Sequence, residues 1–337
     1  MSKTRSQYIW HYLAASCLLM LLAACNGSGG TSGPQPTPTP FLAIQPYTFT
    51  GHTDAVTDEA WSPDERYIAS SGNDKNVLVW DSATGKLLHT FTGNVQTVAS
   101  LAWSPDSKEI AAGSGDGTVQ IWDLATGKKV LTYQDLYGAV YAVAWSPDGK
   151  KIASGGTALY IWNAATGRTI QALNEIPVFG PTTIQWSPDS TRIAIGRDQS
   201  ILTQVIDAST GKILQTYKGH HAVVCAVAWS PDGKFIVSGD VSGVLQVWNA
   251  STGAHIMTYK GHIHGANITS VHWLPDGQRI VSSSRDGTVQ IWNATTGKKL
   301  FTYKDPTGDI LAMAVSPDGS YVVTGGEDDK ERVAKLV

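Results

Sequence analysis

A Ser-Pro-Asp phrase recurs along the 337-residue chain at a nearly constant interval, and this periodicity constrains the fold more than any other feature. Seven copies lie at 62–64, 104–106, 146–148, 187–189, 230–232, 274–276 and 316–318, with Leu274 replacing the serine in the sixth. Their prolines are 41–44 residues apart. A period of about 40–45 residues with four strands per unit is typical of propeller blades. The sequence therefore predicts an all-β, seven-bladed β-propeller of four-stranded antiparallel blades.

The repeat over residues 98–133 shows how one blade forms. An apolar run at 98–103 predicts a buried first strand. Pro105 and Asp106 then form a tight turn, since proline fixes φ and aspartate suits the next position. Three more strands are predicted at 110–113, 118–122 and 129–133. Glycine often follows the aspartate, where the hairpin needs a positive φ. We expect a modest steric cost where other residues replace it, at Glu65, Ser107 and Ser190.

The two ends of the chain are predicted to meet in one blade. Residues 320–337 supply only the second and third strands of blade 7. Residues 45–50 match in type the outer strand that precedes Gly261-His262. We therefore expect this N-terminal strand to complete the last blade and close a propeller over residues 45–337. Such closure hides strand edges that would otherwise promote aggregation.

The repeats resemble those of the WD-repeat family of β-propellers. Trp-Asp at 80–81 and 122–123 recurs as Trp-Asn at 162–163, 248–249 and 292–293, and Gly-His opens repeats at 51–52, 219–220 and 261–262. The resemblance covers about residues 45–337. It implies that a histidine, a serine, an aspartate and a tryptophan hydrogen-bond within a blade. The implied sets are His52, Ser70, Asp74 and Trp80 in blade 1; His220, Ser238 and Trp248 in blade 5, with Ser242 at the aspartate position; and His262, Ser282, Asp286 and Trp292 in blade 6. The other four blades lack the histidine.

The N-terminal segment predicts export and a lipid anchor. Lys3 and Arg5 precede an apolar stretch over 8–22, which is typical of a signal peptide. Residues 22–25, Leu-Ala-Ala-Cys, resemble a bacterial lipobox, which implies removal of residues 1–24 and lipidation of Cys25. The Gly/Ser/Pro-rich residues 25–44 would then be a linker. The expected location is extracytoplasmic, on the cell membrane or on an outer membrane. The alternative is a plain signal peptide or an uncleaved anchor.

Composition and spacing exclude several classes of function. The formal charge of the chain is −3 and no basic tract is present, so nucleic acid is not an expected partner. Cys225 is the only cysteine expected to stay unmodified in the mature chain, so no intrachain disulfide is predicted. The histidines at 220, 221, 262 and 264 match no standard metal-ligand spacing, and we predict neither a metal nor a cofactor.

Irregular loops mark the candidate contact surface. In related propellers, partners usually bind the face that carries the outer-to-first-strand loops and the second-to-third-strand turns. Exposed aromatic and arginine side chains are favoured anchors at interfaces. The hypothesis assigns partner contacts to Tyr137, Phe179, Arg197, His264 and Arg285. The alternative is that these are ordinary loop residues of diverged repeats.

The resemblance implies a non-catalytic scaffold that binds proteins or peptides. Together with the predicted anchor, it suggests a monomeric, membrane-tethered interaction module. Two alternatives stay open at this point. One is a propeller enzyme that binds a ligand or cofactor in its central channel, as quinone-dependent dehydrogenases do; the other is a factor that assembles envelope proteins. Fold alone does not decide between them.

Overall fold

The computed structural model describes residues 46–134, 138–173, 181–197, 199–306 and 308–336. These residues form 28 strands and no helix, so the described part of the chain has no helix that could cross a membrane. The strands form seven four-stranded antiparallel sheets. First strands of neighbouring blades contact one another around the whole ring, and the last contacts the first. The prediction of an all-β, seven-bladed propeller is confirmed.

Each blade runs from a first strand at the central channel to an outer strand at the rim. The first strands are β2 (Val56–Trp61), β6 (Val98–Trp103), β10 (Ala142–Trp145), β14 (Pro181–Trp186), β18 (Val224–Trp229), β22 (Ile268–Trp273) and β26 (Ile310–Val315). The second strands are β3 (Tyr67–Gly72), β7 (Glu109–Ser114), β11 (Lys151–Gly155), β15 (Arg192–Arg197), β19 (Phe235–Asp240), β23 (Arg279–Ser284) and β27 (Tyr321–Gly326).

The third and outer strands complete the blades. The third strands are β4 (Val77–Asp81), β8 (Val119–Asp123), β12 (Leu159–Asn163), β16 (Thr203–Asp207), β20 (Leu245–Asn249), β24 (Thr288–Asn293) and β28 (Lys330–Lys335). The outer strands are β5 (Leu87–Phe91), β9 (Lys129–Tyr133), β13 (Thr169–Leu173), β17 (Ile213–Tyr217), β21 (His255–Tyr259), β25 (Lys299–Lys304) and, for blade 7, β1 (Tyr47–Thr50).

The Ser-Pro-Asp turns are fixed by the side chains that define them. In blade 1 the Ser62 hydroxyl donates to the Asp64 carboxylate at 2.6 Å and accepts from the Tyr67 amide at 3.0 Å. Glu65, Ser107 and Ser190 adopt φ values of 60–63°, so the predicted left-handed position is confirmed where glycine is absent. Ser107 gains a contact in return, because its hydroxyl accepts from the Asp64 amide of the neighbouring blade at 3.0 Å.

Aromatic pairs hold neighbouring blades together. In five interfaces the aromatic ring near the end of one outer strand stacks on the third-strand tryptophan of the next blade, with centroids 4.5–5.3 Å apart. The pairs are Phe49–Trp80, Phe91–Trp122, Tyr133–Trp162, Tyr217–Trp248 and Tyr259–Trp292. Ile206 and Ala334 stand at the tryptophan position of blades 4 and 7. Those two interfaces therefore lack this stacking contribution, which is worth about 0.5–1.5 kcal/mol per pair.

The N-terminal strand closes the ring. β1 pairs antiparallel with β28, from Tyr47 opposite Val333 to Thr50 opposite Lys330. Phe49 is buried and stacks on Trp80 of blade 1, so β1 also joins blade 7 to blade 1. The predicted completion of the last blade by the N-terminal strand is confirmed.

Candidate functional site

The loop face is the side of the ring that carries the outer-to-first-strand loops and the second-to-third-strand turns. Blade 6 shows how its loops are held. His262 Nε2 lies 2.8 Å from Ser282 Oγ, and His262 Nδ1 lies 3.0 Å from Asp286 Oδ2. The Trp292 indole donates to the same Ser282 oxygen at 3.1 Å. This buried network fixes the loop that follows β21 to the turn between β23 and β24, so the structure brings together all four residues of the implied set.

Blade 5 forms the same network with a different carboxylate. His220 Nε2 lies 2.7 Å from Ser238 Oγ, and the Trp248 indole donates to Ser238 at 3.1 Å. The acid is Asp240, whose Oδ2 lies 2.8 Å from His220 Nδ1. Ser242 stands at the aspartate position of the repeat, as predicted, but Asp240 at the end of β19 reaches the same imidazole and supplies the missing carboxylate. Ser242 instead donates its hydroxyl to Asp240 at 2.6 Å.

Blade 1 departs from the pattern at its tryptophan. His52 contacts Ser70 Oγ at 3.0 Å and Asp74 Oδ2 at 2.9 Å. The Trp80 indole N–H is buried without a hydrogen-bond partner among the described residues. Glu331 of blade 7 lies close by, with its Oε1 3.6 Å from His52 Nε2. The structure therefore joins His52, Ser70 and Asp74 but leaves Trp80 outside their network.

Two of the blades without the histidine keep part of the arrangement. In blade 3 the Trp162 indole donates to Ser154 at 3.1 Å. In blade 7, Thr324 stands at the serine position and donates to the buried Asp305 at 2.9 Å. Sequence reasoning missed Asp305, although its place near the end of the blade 6 outer strand, two residues after Tyr303, was a usable signal.

The acids of the histidine networks are held in the ionised form. Burial acts to raise the pKa of Asp286, but hydrogen bonds from His262, Thr288 and the Ile263 amide outweigh it and hold the pKa far below its usual range. The pKa of Asp240 is lowered in the same way, with burial opposed by hydrogen bonds from His220 and Ser242. These carboxylates therefore act as fixed acceptors that order the loops.

A cleft of about 590 Å³ opens on the loop face between blades 5 and 6. Its exposed walls carry Lys260, His221 and His264, and none of these has an ion pair within the described ranges. The carboxylate that lines it belongs to Asp240, which His220 and Ser242 already engage. The cleft therefore presents cationic and imidazole side chains around a space large enough for part of a peptide.

The five predicted contact residues fall in different environments. Tyr137 and Phe179 lie outside the described residues. Arg197 was expected to be an exposed anchor, but it ends strand β15, is buried and donates to Gln204. Its side chain enters the blade because position 197 is a strand position and not a loop tip. His264 is exposed and lines the cleft, whereas Arg285 is exposed and pairs with Asp309 at 3.6 Å.

The central channel has a volume of about 380 Å³ and is lined by the first strands of the blades. Burial raises the pKa of the Cys225 thiol to about 12, and its Sγ donates to the Ile268 carbonyl at 2.8 Å. Burial lowers the pKa of His272, which contacts the Met313 carbonyl at 3.3 Å. No cluster of three or more metal-ligating side chains occurs in the part of the chain that the structure covers. Cys25 and the proposed signal and linker lie outside that part.

Comparison with known proteins identifies the repeat unit. A family model described as "WD domain, G-beta repeat" matches residues 44–81, 85–123, 127–163, 211–249, 253–293 and 297–330. The unmatched interval contains blade 4, whose third strand carries Ile206 in place of tryptophan.

Individual relatives align over short stretches only. The chain is 28% identical over 74 residues to Meiotic fizzy-related protein 1 of Schizosaccharomyces pombe, covering 22% of this chain and 17% of that protein. It is 35% identical over 74 residues to Cell division cycle 20.1, cofactor of APC complex, of Arabidopsis thaliana, covering 21% and 16%. It is 39% identical over 49 residues to the ribosome biogenesis protein BOP1 homolog of Drosophila ananassae, covering 14% and 6%. The chain thus spans less than a fifth of the length of each of these relatives.

Proposed function

The chain belongs to the WD-repeat family of β-propellers, and on that premise we propose that it is a non-catalytic scaffold that binds protein partners on its loop face. Members of this family commonly act through interactions with other proteins. The rigid ring supports this function, because hydrogen-bonded networks and interblade stacking hold the loops in fixed positions. Preorganised loops bind at a lower entropic cost than mobile ones.

The observation that carries the proposal is the cleft between blades 5 and 6. Lys260, His221 and His264 point to a partner segment that carries carboxylates, because the cleft supplies cationic and donor groups without a competing free acid. Ile263 beside it is 66% exposed and offers an apolar contact next to the charged ones. An acidic segment with one aliphatic side chain fits this combination.

The charges elsewhere on the loop face also favour binding of an acidic partner at the cleft. The turn between β27 and β28 carries Glu327, Asp328 and Asp329 in succession, and Asp309 lies in the loop before β26. Glu327 and Asp329 of blade 7, which have no ion pair among the described residues, would therefore repel an acidic partner that the cleft attracts. Such complementarity sets the orientation and rate of encounter more than the final affinity.

We further propose that the propeller is anchored outside the cytoplasm by lipid on Cys25. The support is in the sequence: two cations, an apolar stretch over 8–22 and Leu-Ala-Ala before the cysteine. The relatives named above are eukaryotic, and their likeness bears on the repeats, which the family model matches from residue 44. Their names therefore do not bear on the first 43 residues, nor do they transfer a partner to this chain.

Crosslinking on intact cells tests the scaffold function, with the full chain as bait and mass spectrometry as readout. We expect a captured protein whose crosslinked peptide is acidic and whose yield falls at least about tenfold with Lys260→Ala/His264→Ala. Lys304→Ala is the matched control, since it removes an exposed lysine at the equivalent position of blade 6, directly after Tyr303. Equal capture by the cleft variant and the wild type would refute the assignment of the cleft.

A separate labelling experiment tests the anchor. We expect a radiolabelled fatty acid to be incorporated into the wild type but not into Cys25→Ser, and the variant to be released from membranes. Cys225→Ser is the control, because that cysteine lies within the propeller and its thiol is held in the protonated form. Labelling of Cys25→Ser at the wild-type level would refute the anchor and leave the scaffold proposal intact.

A further inference from the structure

Two buried glutamates face the seam, defined here as the contact of β26–β28 of blade 7 with β2 and β3 of blade 1. Glu59 lies on β2 and Glu331 on β28, and they are 4% and 0% exposed. Within the described ranges, none of their four carboxylate oxygens has a hydrogen-bond partner. Burying a carboxylate costs several kcal/mol unless it is paired or protonated. The seam therefore holds two groups whose burial requires an explanation.

Comparison of the seven repeats shows that Glu59 replaces an apolar core residue in all six other blades and Glu331 in five of them, the sixth carrying Thr203. At the position of Glu59, two residues before the end of the first strand, the other blades carry Leu101, Val143, Ile184, Val227, Val271 and Met313. At the position of Glu331 they carry Val77, Val119, Leu159, Thr203, Leu245 and Val289. Both replacements fall in the same interface, the one that joins the two ends of the chain.

Glu59 and Glu331 both lie next to Gly325 of β27. Gly325 of β27 pairs directly with Glu331, and a Cβ at Gly325 would lie 2.9 Å from Glu59 Oε1. A Cβ at the equivalent Gly113 would lie 2.7 Å from methyl groups of Val140 and Val143, and Val143 stands at the position of Glu59. Glu59 thus occupies the space that an aliphatic side chain fills in the interface between blades 2 and 3. The side chain of Glu331 also contacts His52 of the closing loop, at 3.6 Å.

The basic side chains near the pair are already engaged by other carboxylates, His52 by Asp74 and Arg332 by Asp328. Arg332 is the cation of this region, but it is bonded to Asp328 and lies 3.8 Å from Asp305. The other titratable groups that influence the pair are Asp58 on β2, Asp74 in the turn after β3, His52 in the loop after β1 and Tyr47 on β1. Carboxylates outnumber cations among these groups, so a proton is the available means of neutralising the pair.

Burial raises the pKa of both glutamates and so favours the protonated, neutral form. It raises the pKa of Glu331 to about 8, and the neighbouring Ser70 hydroxyl opposes this only in part. Burial, followed by the negative charge of Glu331, raises the pKa of Glu59 well above its usual range. Both groups therefore favour the protonated form in the closed ring.

We propose that Glu59 and Glu331 retain protons in the closed ring at neutral pH, and that this makes the closure of blade 7 on blade 1 sensitive to pH. The unfolded chain releases these protons above about pH 4.5, whereas the folded chain keeps them. Their contribution is therefore most favourable to folding below about pH 4.5 and declines as the pH rises through the folded pKa of Glu331, about 8. Above that value Glu331 becomes a buried negative charge in the seam, and β1 and β28 open more often.

Hydrogen–deuterium exchange of the full chain between pH 6 and pH 9 tests the proposal, with rates corrected for intrinsic exchange. For one retained proton, the opening constant rises by up to about tenfold per pH unit. We expect β1 and β28 to lose at least about tenfold in protection between pH 6 and 8, while β24 and β25 of blade 6 change much less. We also expect the melting temperature of the wild type to fall by roughly 5–10 °C over the same range.

Three variants separate the pair from other titrating groups. Glu59→Gln/Glu331→Gln mimics the protonated state and should abolish the pH dependence of exchange at β1 and β28. Glu59→Val/Glu331→Val introduces the apolar residues found in other blades. It should also abolish the pH dependence of exchange at β1 and β28, and it should raise the melting temperature at pH 9. Glu327→Gln, an exposed glutamate in the turn before β28, should keep the wild-type profile. Protection of β1 and β28 in the wild type that does not change from pH 6 to pH 9 would overturn the proposal, as would a glutamine variant that keeps the pH dependence.

Discussion

Removal of one serine hydroxyl tests how the loop face is held, because the serine at this repeat position makes two buried contacts in blade 6 and one in blade 3. Ser282 Oγ bonds His262 at 2.8 Å and accepts from Trp292 at 3.1 Å, and the residue is 0% exposed. Ser154 is equally buried, and among the described residues its hydroxyl accepts only from Trp162, at 3.1 Å. The two sites differ mainly in the imidazole contact.

The structure sets the expected magnitudes. A buried polar group left without its partner costs roughly 1–3 kcal/mol. Ser282→Ala leaves two such groups and should lower the free energy of unfolding by roughly 2–6 kcal/mol, whereas Ser154→Ala leaves one and should lower it by roughly 1–3 kcal/mol. At about 2–4 °C per kcal/mol, the first variant should melt roughly 4–24 °C below the wild type.

The assay combines thermal unfolding with hydrogen exchange, since repeat proteins need not unfold in one step. Exchange should accelerate in the Ser282→Ala variant at the loop after β21, where His262 is no longer fixed. Ser238→Ala in blade 5 is the positive control, because Ser238 makes the same two contacts. If Ser154→Ala proved as destabilising as Ser282→Ala, the histidine contact would add nothing and the reasoning about the network would fail.

Three further outcomes are expected. Asp286→Asn should destabilise the protein at pH 7 but progressively less as acid titrates the wild type. The reason is that the lowered pKa of Asp286 gives stability that is present above about pH 4 and is lost as the pH falls through the folded pKa. Unfolding curves at pH 7 and pH 2.5 check this. Cys225 should react with a thiol reagent at pH 7.5 much more slowly in the folded protein than in denaturant, since burial raises its pKa to about 12; mass spectrometry of the labelled peptide checks this. Gly113→Ala should destabilise the contact of blades 2 and 3, because the new Cβ would lie 2.7 Å from methyl groups of Val140 and Val143. Gly115→Ala is the control, since neither glycine has a positive φ and the atom nearest to a Cβ at Gly115 is the end of the flexible Gln96 side chain at 3.0 Å; equal melting temperatures would contradict the packing argument.

The repeat period predicted the architecture because each turn is defined by local side chains. Ser62, Pro63 and Asp64 specify a hairpin without help from the rest of the chain, and the same phrase repeated seven times specifies seven blades. The closing strand was also predictable, since residues 45–50 carry the pattern of an outer strand and blade 7 lacked one.

The details of the sites depended on where side chains reach in space. Ser242 matches the acidic position of the repeat by alignment, but Asp240 supplies the carboxylate because a strand end and a turn bring their side chains to the same imidazole. Arg197 looked like a loop residue because the turn that follows it is irregular, yet it completes β15 and points into the blade. Tyr137 and Phe179 lie outside the described residues, so their predicted contacts stay predictions.

The seam glutamates were visible in the sequence but were not recognised. Glu59 and Glu331 stand far apart along the chain, and only the closure of the ring brings their strands together. Alignment of the seven repeats at their strand positions would have shown a charged residue in an apolar column twice. What such an alignment does not show is that both columns face the same interface, which requires the topology.

The pairing of β1 with β28 has a consequence for the synthesis of the chain. Tyr47 emerges from the ribosome early, but its partner Val333 is made 286 residues later. At about 5–20 residues per second, roughly 15–60 s pass before β1 has a partner. During that time the unfinished chain has an open strand edge at each end, and a nascent or prematurely terminated product displays the same feature. Burial of the β1 edge is thus coupled to the synthesis of β28, so chaperones and proteases that recognise exposed strands can distinguish chains that contain β28 from those that lack it.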